Sequence, residues 1–111
     1  MTKVRCATAI VKTLEAIGTD VVFGYNGHGN WALLDSFQYE SGVKCVATRG
    51  EHQAVHMADG YYRARHNKAI PIVSTSVGPG NMNIASALSN AFFESSAMLV
   101  LATALLALAL A

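Results

Sequence analysis

The chain has 111 residues, 52% of them hydrophobic and 14% charged, which is enough apolar material for the core of one globular unit and too much for a disordered chain. Its formal net charge is +1, with lysines and arginines scattered along the chain, which excludes the basic stripe that a nucleic-acid backbone requires. Cys6 and Cys45 lie far apart without metal-ligand spacing, and the N-terminus lacks the apolar run of a secretory signal, so the expected setting is a reducing cytoplasm with both thiols as packing residues.

Val4, Ala7, Val11, Leu14 and Ile17 recur at three- and four-residue steps, with Lys3, Lys12 and Glu15 off the stripe and Gly18 as a stop. That pattern predicts an amphipathic first helix. DVVFG (20–24) is a short β-branched run and predicts a strand. In NWALLDSFQYESG (30–42), Leu33, Leu34 and Phe37 stand at helical spacing before Gly42, which predicts the second helix. A strand at VKCVAT (43–48), a helix from Glu51 to Arg65, a strand at IPIVSTS (70–76), a helix from Asn81 to Glu94 and a strand at MLVLA (98–102) follow. Phe92 and Phe93 are expected to pack in the core or at a sheet or subunit surface.

The end of the chain, AMLVLATALLALALA (97–111), is apolar almost throughout but shorter than the roughly 20 residues that cross a bilayer as a helix. It predicts a buried strand followed by a short helix; a membrane anchor over 104–111 is the weaker alternative, and no membrane partner is expected.

Short apolar strands separated by longer helices need crossover connections, so the predicted class is α/β: a parallel sheet with helices on both faces. No repeat or linker divides the chain, which reads as one domain or part of one.

In such a sheet the loops that follow the strands emerge at one edge, where ligands bind. Those loops are GYNGHGN (24–30), RGE (49–51) and SVGPGN (76–81), and together they hold six of the nine glycines. Glycine admits positive φ and close approach to the main chain, which suits a surface moulded around a ligand; tight strand-to-helix turns would use it equally. GHGNWA and GPGNMN both lack the third glycine of a dinucleotide fingerprint, and no phosphate-binding GxxxxGK[ST] occurs.

Glu51 falls where a strand gives way to a helix on that edge, followed by Ala54, Val55 and Ala58. Burial among apolar neighbours disfavours the charged form of a carboxyl group and suits one that shares a proton. A helix-start acid facing the dipole is the plainer reading. His52 and His56 lie one helical turn apart, but no third ligand is placed by the sequence and no metal site is expected.

Taken in order, VVFGYNGHGNWALLDSF, ATRGEHQAVHMADGYYRAR, STSVGPGNMNIASALSNAF and MLVLA resemble the N-terminal, pyrimidine-binding domain of thiamine-diphosphate-dependent enzymes, over nearly the whole chain to about residue 102. The resemblance implies that Glu51 hydrogen-bonds a ring nitrogen of the cofactor's aminopyrimidine and favours its imino tautomer, so that the thiazolium C2 proton is removed. It further implies that Gly27, Gly78, Pro79, Gly80 and Asn83 line the pyrimidine side of thiamine diphosphate. At His28 it implies a position facing the reacting carbon, where an imidazole could move a proton or orient a carbonyl. Many relatives read Gly-x-Pro-Gly where this chain reads GYNG, and Asn26 removes the φ restraint of that proline.

The general frame is similar to the acetolactate synthase group, which makes or breaks a carbon–carbon bond next to the carbonyl of a 2-keto acid. The GHGN tetrapeptide and TSVGPG look like the branch that hydrolyses a cyclic dione in inositol breakdown. A non-catalytic α/β interaction fragment is the reading from a different class. Relatives bind the diphosphate and Mg²⁺ through a separate C-terminal domain with a Gly-Asp-Gly motif and build each site from two subunits. This chain has no Gly-Asp-Gly, and the resemblance therefore implies a partial domain, inactive alone, that needs a second subunit or a diphosphate-binding domain to act on a small carbonyl substrate.

Overall fold

A computed structural model describes residues 3–66 and 68–104. In chain order it holds α1 (Cys6–Ala16), β1 (Val21–Gly24), α2 (Trp31–Glu40), β2 (Lys44–Ala47), α3 (Glu51–Ala64), β3 (Ile72–Thr75), α4 (Pro79–Met82), α5 (Ala85–Phe93) and β4 (Leu99–Ala102). The four strands form one sheet in the order β2-β1-β3-β4, and every pairing is parallel. The expected α/β class with helices on both faces is what the chain adopts.

Strand alternation decides which helix each residue meets. Val21, Phe23 and Val73 point to one face, where Ala54, Val55 and Ala58 of α3 and Ala87 of α5 close the core. Val22 and Ile72 point to the other, where they meet Val11 and Leu14 of α1 and Phe37 of α2. Both central strands are buried at every position, whereas the edge strands β2 and β4 are exposed at their ends. This is why β1 and β3 read as continuous apolar runs in the sequence. Each fully buried aliphatic side chain contributes about 1.5–3 kcal/mol, and the alanines on α3 let that helix sit close to the sheet.

Winding sets the position of the crevice. From β1 the chain steps one way to β2, then crosses back over β1 to β3 on its other side. Right-handed crossovers in opposite directions put α2 and α3 on opposite faces, and the reversal falls between β1 and β3.

Four expectations are corrected. The first helix begins at Cys6 and ends at Ala16, so Val4 and Ile17 lie outside it and are exposed; Gly18, with φ 95°, turns the chain away. The helix expected from Asn81 to Glu94 is two: α4 starts earlier, at Pro79, and ends at Met82. Between them Asn83 and Ile84 have ψ of −15° and −10°, too flat to continue an α-helical ladder. Of the placements expected for Phe92 and Phe93 the core is excluded: they stack edge to face with each other and are exposed in this chain, because Ala87 and Ala91 occupy the sheet-facing side of α5. Cys45 packs against the α1–α2 core as expected, while Cys6 is exposed at the start of α1; both thiols are free.

Among the described residues no helix is long and apolar enough to cross a membrane. Residues 105–111, where the short C-terminal helix and the anchor were expected, lie outside the described residues.

Candidate functional site

The loops after β1, β2 and β3 converge at the carboxyl edge of the sheet, and contacts between them can be read from what their glycines leave out. A Cβ on Gly27 would stand 2.2 Å from Ser76 Oγ, and one on Gly29 would stand 2.3 Å from Val77 Cγ1 and 2.6 Å from Thr103 Oγ1. The first loop is therefore pressed against the third over the gap between β1 and β3. At Gly80 a Cβ would lie 2.5 Å from Glu51 Oε1 and 3.2 Å from Ser76 Cβ, which brings the start of α3 to the same place.

Glu51 is the first residue of α3, is preceded by the extended Gly50, and is only 5% exposed. Its carboxylate accepts a hydrogen bond from Asn83 Nδ2 at 3.3 Å. Among the described residues no lysine, arginine or histidine forms an ion pair with it. A buried carboxyl at a sheet edge, held by one amide and with no cation against it among the described residues, keeps acceptor capacity for a further polar partner.

The third loop is shaped to present this group. Gly78 adopts φ 60°, a left-handed conformation that glycine takes without strain, and Pro79 opens α4 with its fixed φ. Asn81 anchors the turn: its Oδ1 accepts from Thr75 Oγ1, and its Nδ2 donates to the Thr103 carbonyl at 2.7 Å. Thr103 Oγ1 in turn donates to the Thr75 carbonyl at 2.9 Å. The α4 turn is thus fixed to the ends of β3 and β4, with Gly80 buried beneath Glu51.

Of the site residues expected from sequence, Glu51, Gly80 and Asn83 stand together, Gly78 and Pro79 build the turn that carries the last two, and Gly27 packs on Ser76 beside them. His28 stands apart: its exposed ring lies 5.2 Å from that of Trp31, tilted by 42°. His52 and His56 are exposed on α3, and among the described residues no group of three His, Cys, Asp or Glu could hold a metal ion.

Sequence reasoning passed over Asn30, Ser76, Asn81 and Thr103. Asn30 directly precedes a helical run and so reads as an ordinary N-cap. The others are short polar residues in turns, where composition carries no partner information. It also passed over Asp59, which is 2% exposed on the core side of α3. There Asp59 accepts from Arg63 Nη2 at 2.7 Å and from Ser96 Oγ, tying α3 to the segment after α5. The signal was present as an acid one step from Ala58 with an arginine four residues on.

Beside the first loop a cavity of ≈190 Å³ opens between α2 and the edge strand, lined by Gly24, Asn26, Leu34, Gln38 and Cys45 among others. Burial pushes the Cys45 thiol up from its ordinary value. A larger hollow of ≈590 Å³, lined by Gly18, Thr19, Lys68, Ser96 and Met98, lies at the amino edge of the sheet, away from Glu51.

Comparison with known proteins agrees with this arrangement. A family model described as thiamine pyrophosphate enzyme, N-terminal TPP binding domain, matches residues 4–105. The probable acetolactate synthase large subunit of Methanocaldococcus jannaschii is 39% identical over 95 residues, 86% of this chain and 16% of that protein. The acetolactate synthase isozyme 3 large subunit of Escherichia coli is 34% identical over 95 residues, again 86% of this chain and 16% of its own length. The acetolactate synthase large subunit of Lactococcus lactis is 30% identical over 91 residues, 82% of this chain and 16% of that protein. The chain thus spans a small part of the length of these relatives. Its parallel sheet, its three converging loops and its match over residues 4–105 place the chain in the thiamine pyrophosphate enzyme family, as an N-terminal TPP binding domain homologous to that of acetolactate synthase large subunits.

Proposed function

We propose that this domain activates thiamine diphosphate through Glu51, within an acetolactate synthase-like enzyme that makes or breaks a carbon–carbon bond beside the carbonyl of a 2-keto acid. The observation that carries the reading is the buried Glu51 carboxylate at the switch-point edge, with Gly80 bare beneath one oxygen and Asn83 on the other. Those residues fit an aminopyrimidine: the carboxyl supplies a proton-sharing partner for a ring nitrogen, and the absent side chain at Gly80 leaves the carboxylate room to lie flat against α4. When bound, the cofactor supplies the carbanion chemistry.

In this proposal Glu51 holds the proton at the ring nitrogen, Asn83 orients the carboxyl, and Gly78 and Pro79 fix the turn that brings Asn83 there. His28 is the group on the opposite loop that moves a proton or orients the substrate carbonyl. The diphosphate and Mg²⁺ are bound by a different domain, supplied by a longer polypeptide or a second subunit, in a cytoplasmic assembly.

The deciding experiment is Glu51→Gln in the intact enzyme, with exchange of the C2 proton of bound thiamine diphosphate followed by NMR. The expected result is a fall of about 10²-fold or more, the scale of a lost general acid–base group. An unchanged exchange rate removes Glu51 from the chemistry.

A further inference from the structure

Asn30 is wholly buried and stands immediately before α2, where an asparagine ordinarily turns its side chain onto the free N–H groups of its own first helical turn. It does not do so: no side-chain cap bond is made. The carboxamide instead points back into the preceding loop. Its Oδ1 accepts from the Gly27 N–H at 2.9 Å, while its Nδ2 donates to the Tyr25 carbonyl at 3.0 Å and to Ser74 Oγ at 3.1 Å. Both ends of one amide are therefore in use, one on the tip of the loop, the other on its start and on β3 across the switch point. The main chain closes the same turn, since Asn30 N–H donates to the Gly27 carbonyl at 3.2 Å.

The arrangement leaves one residue to be steered. Gly27 and Gly29 flank His28 and are pressed on Ser76 and Val77, so neither contributes a side chain of its own. Among the described residues the His28 side chain makes no hydrogen bond, and its ring lies tilted beside that of Trp31. We propose that Asn30 is a positioning residue: it forgoes its helix cap to hold residues 25–27 against β3, and so sets where the first loop presents the His28 imidazole. Being buried, it touches no ligand and acts through His28. The inference rests on the reading above only for what the crevice receives.

The test uses the intact protein without cofactor, so that failure of the Glu51 reading leaves it untouched. The His28 ring signal in the NMR spectrum, assigned with His28→Gln, is displaced by the neighbouring Trp31 indole and reports the loop directly. In Asn30→Ala the Gly27 amide loses an acceptor and its protection from hydrogen exchange falls roughly tenfold. The His28 signal moves towards that of a free histidine, while protection at Val73 in β3 changes by no more than the loss in global stability. Ser74→Ala deletes only the bond to β3 and gives the same shifts at smaller size, which keeps the test available where Asn30→Ala does not fold. Retention of the His28 signal in both variants, or equal loss of protection at Gly27 and Val73, makes Asn30 an ordinary core asparagine and overturns the proposal.

Discussion

Gly80 lies so close to Glu51 that a side chain there would displace the carboxylate: the missing Cβ would sit 2.5 Å from Glu51 Oε1. Gly80→Ala keeps the helical backbone of α4 but leaves the carboxylate no room where it now lies. Overpacking of this kind costs about 1–3 kcal/mol, and the end of the glutamate side chain is the part able to give way. The expected outcome is a protein that still folds but whose Tm no longer rises with thiamine diphosphate, where that of the unaltered enzyme is expected to rise. Thermal unfolding with and without cofactor checks it.

The contact between Gly27 and Ser76 is tighter still and involves Ser76 Cβ as well as its hydroxyl. Gly27→Ala is expected to destabilise the fold by about 1–3 kcal/mol, and Ser76→Gly to relieve most of that loss in the double variant. Denaturant unfolding of the four members of the cycle gives the coupling; additive effects would mean that the two loops do not meet.

On the other face of the sheet, Glu40 receives hydrogen bonds from the Thr8 hydroxyl and from Arg5, which join α2 to α1. The Thr8 hydroxyl first, and then the Arg5 guanidinium, hold the Glu40 carboxyl below its ordinary range. A carboxylate depressed in the folded state binds its proton more weakly there than in the unfolded chain. Its stabilisation is therefore present above the unfolded value, about pH 4.3, and disappears as pH falls through the folded one. Glu40→Gln should lower stability at neutral pH and flatten the acid limb of the stability curve, with little difference from the parent once both are fully protonated. Melting temperatures measured from pH 7 down to about pH 3 test this.

Most of the architecture was legible because the two periodicities in this chain are clean. Val21, Val22 and Phe23 form an unbroken apolar run that a strand buried on both faces requires, and Ala54, Val55 and Ala58 mark one side of α3. Glu51 was legible for a related reason, as an acid at a strand-to-helix junction one turn before the apolar Ala54, Val55 and Ala58. The break at Asn83 was not, since the residues on either side keep helical spacing and the interruption comes from backbone torsions. Asn30 was passed over for a third reason. A polar residue before a helix has one local role that sequence suggests, and here a partner 44 residues away, Ser74, takes the side chain instead. The exposed Phe92 and Phe93 show the limit of hydrophobicity as a guide, because the turn of α5 had already given its inward positions to alanine.

Glu51 is also the leading residue of a 14-residue helix whose Ala54, Val55 and Ala58 are entirely enclosed by the sheet. Where the carboxylate stands therefore depends on how closely these three small residues let the helix seat on the sheet. A bulkier side chain at Ala54 or Ala58 would shift the carboxylate while the remainder of the domain stayed assembled. Positions that carry no functional group would then score as essential in a screen for activity, and a screen for expression alone would pass over them.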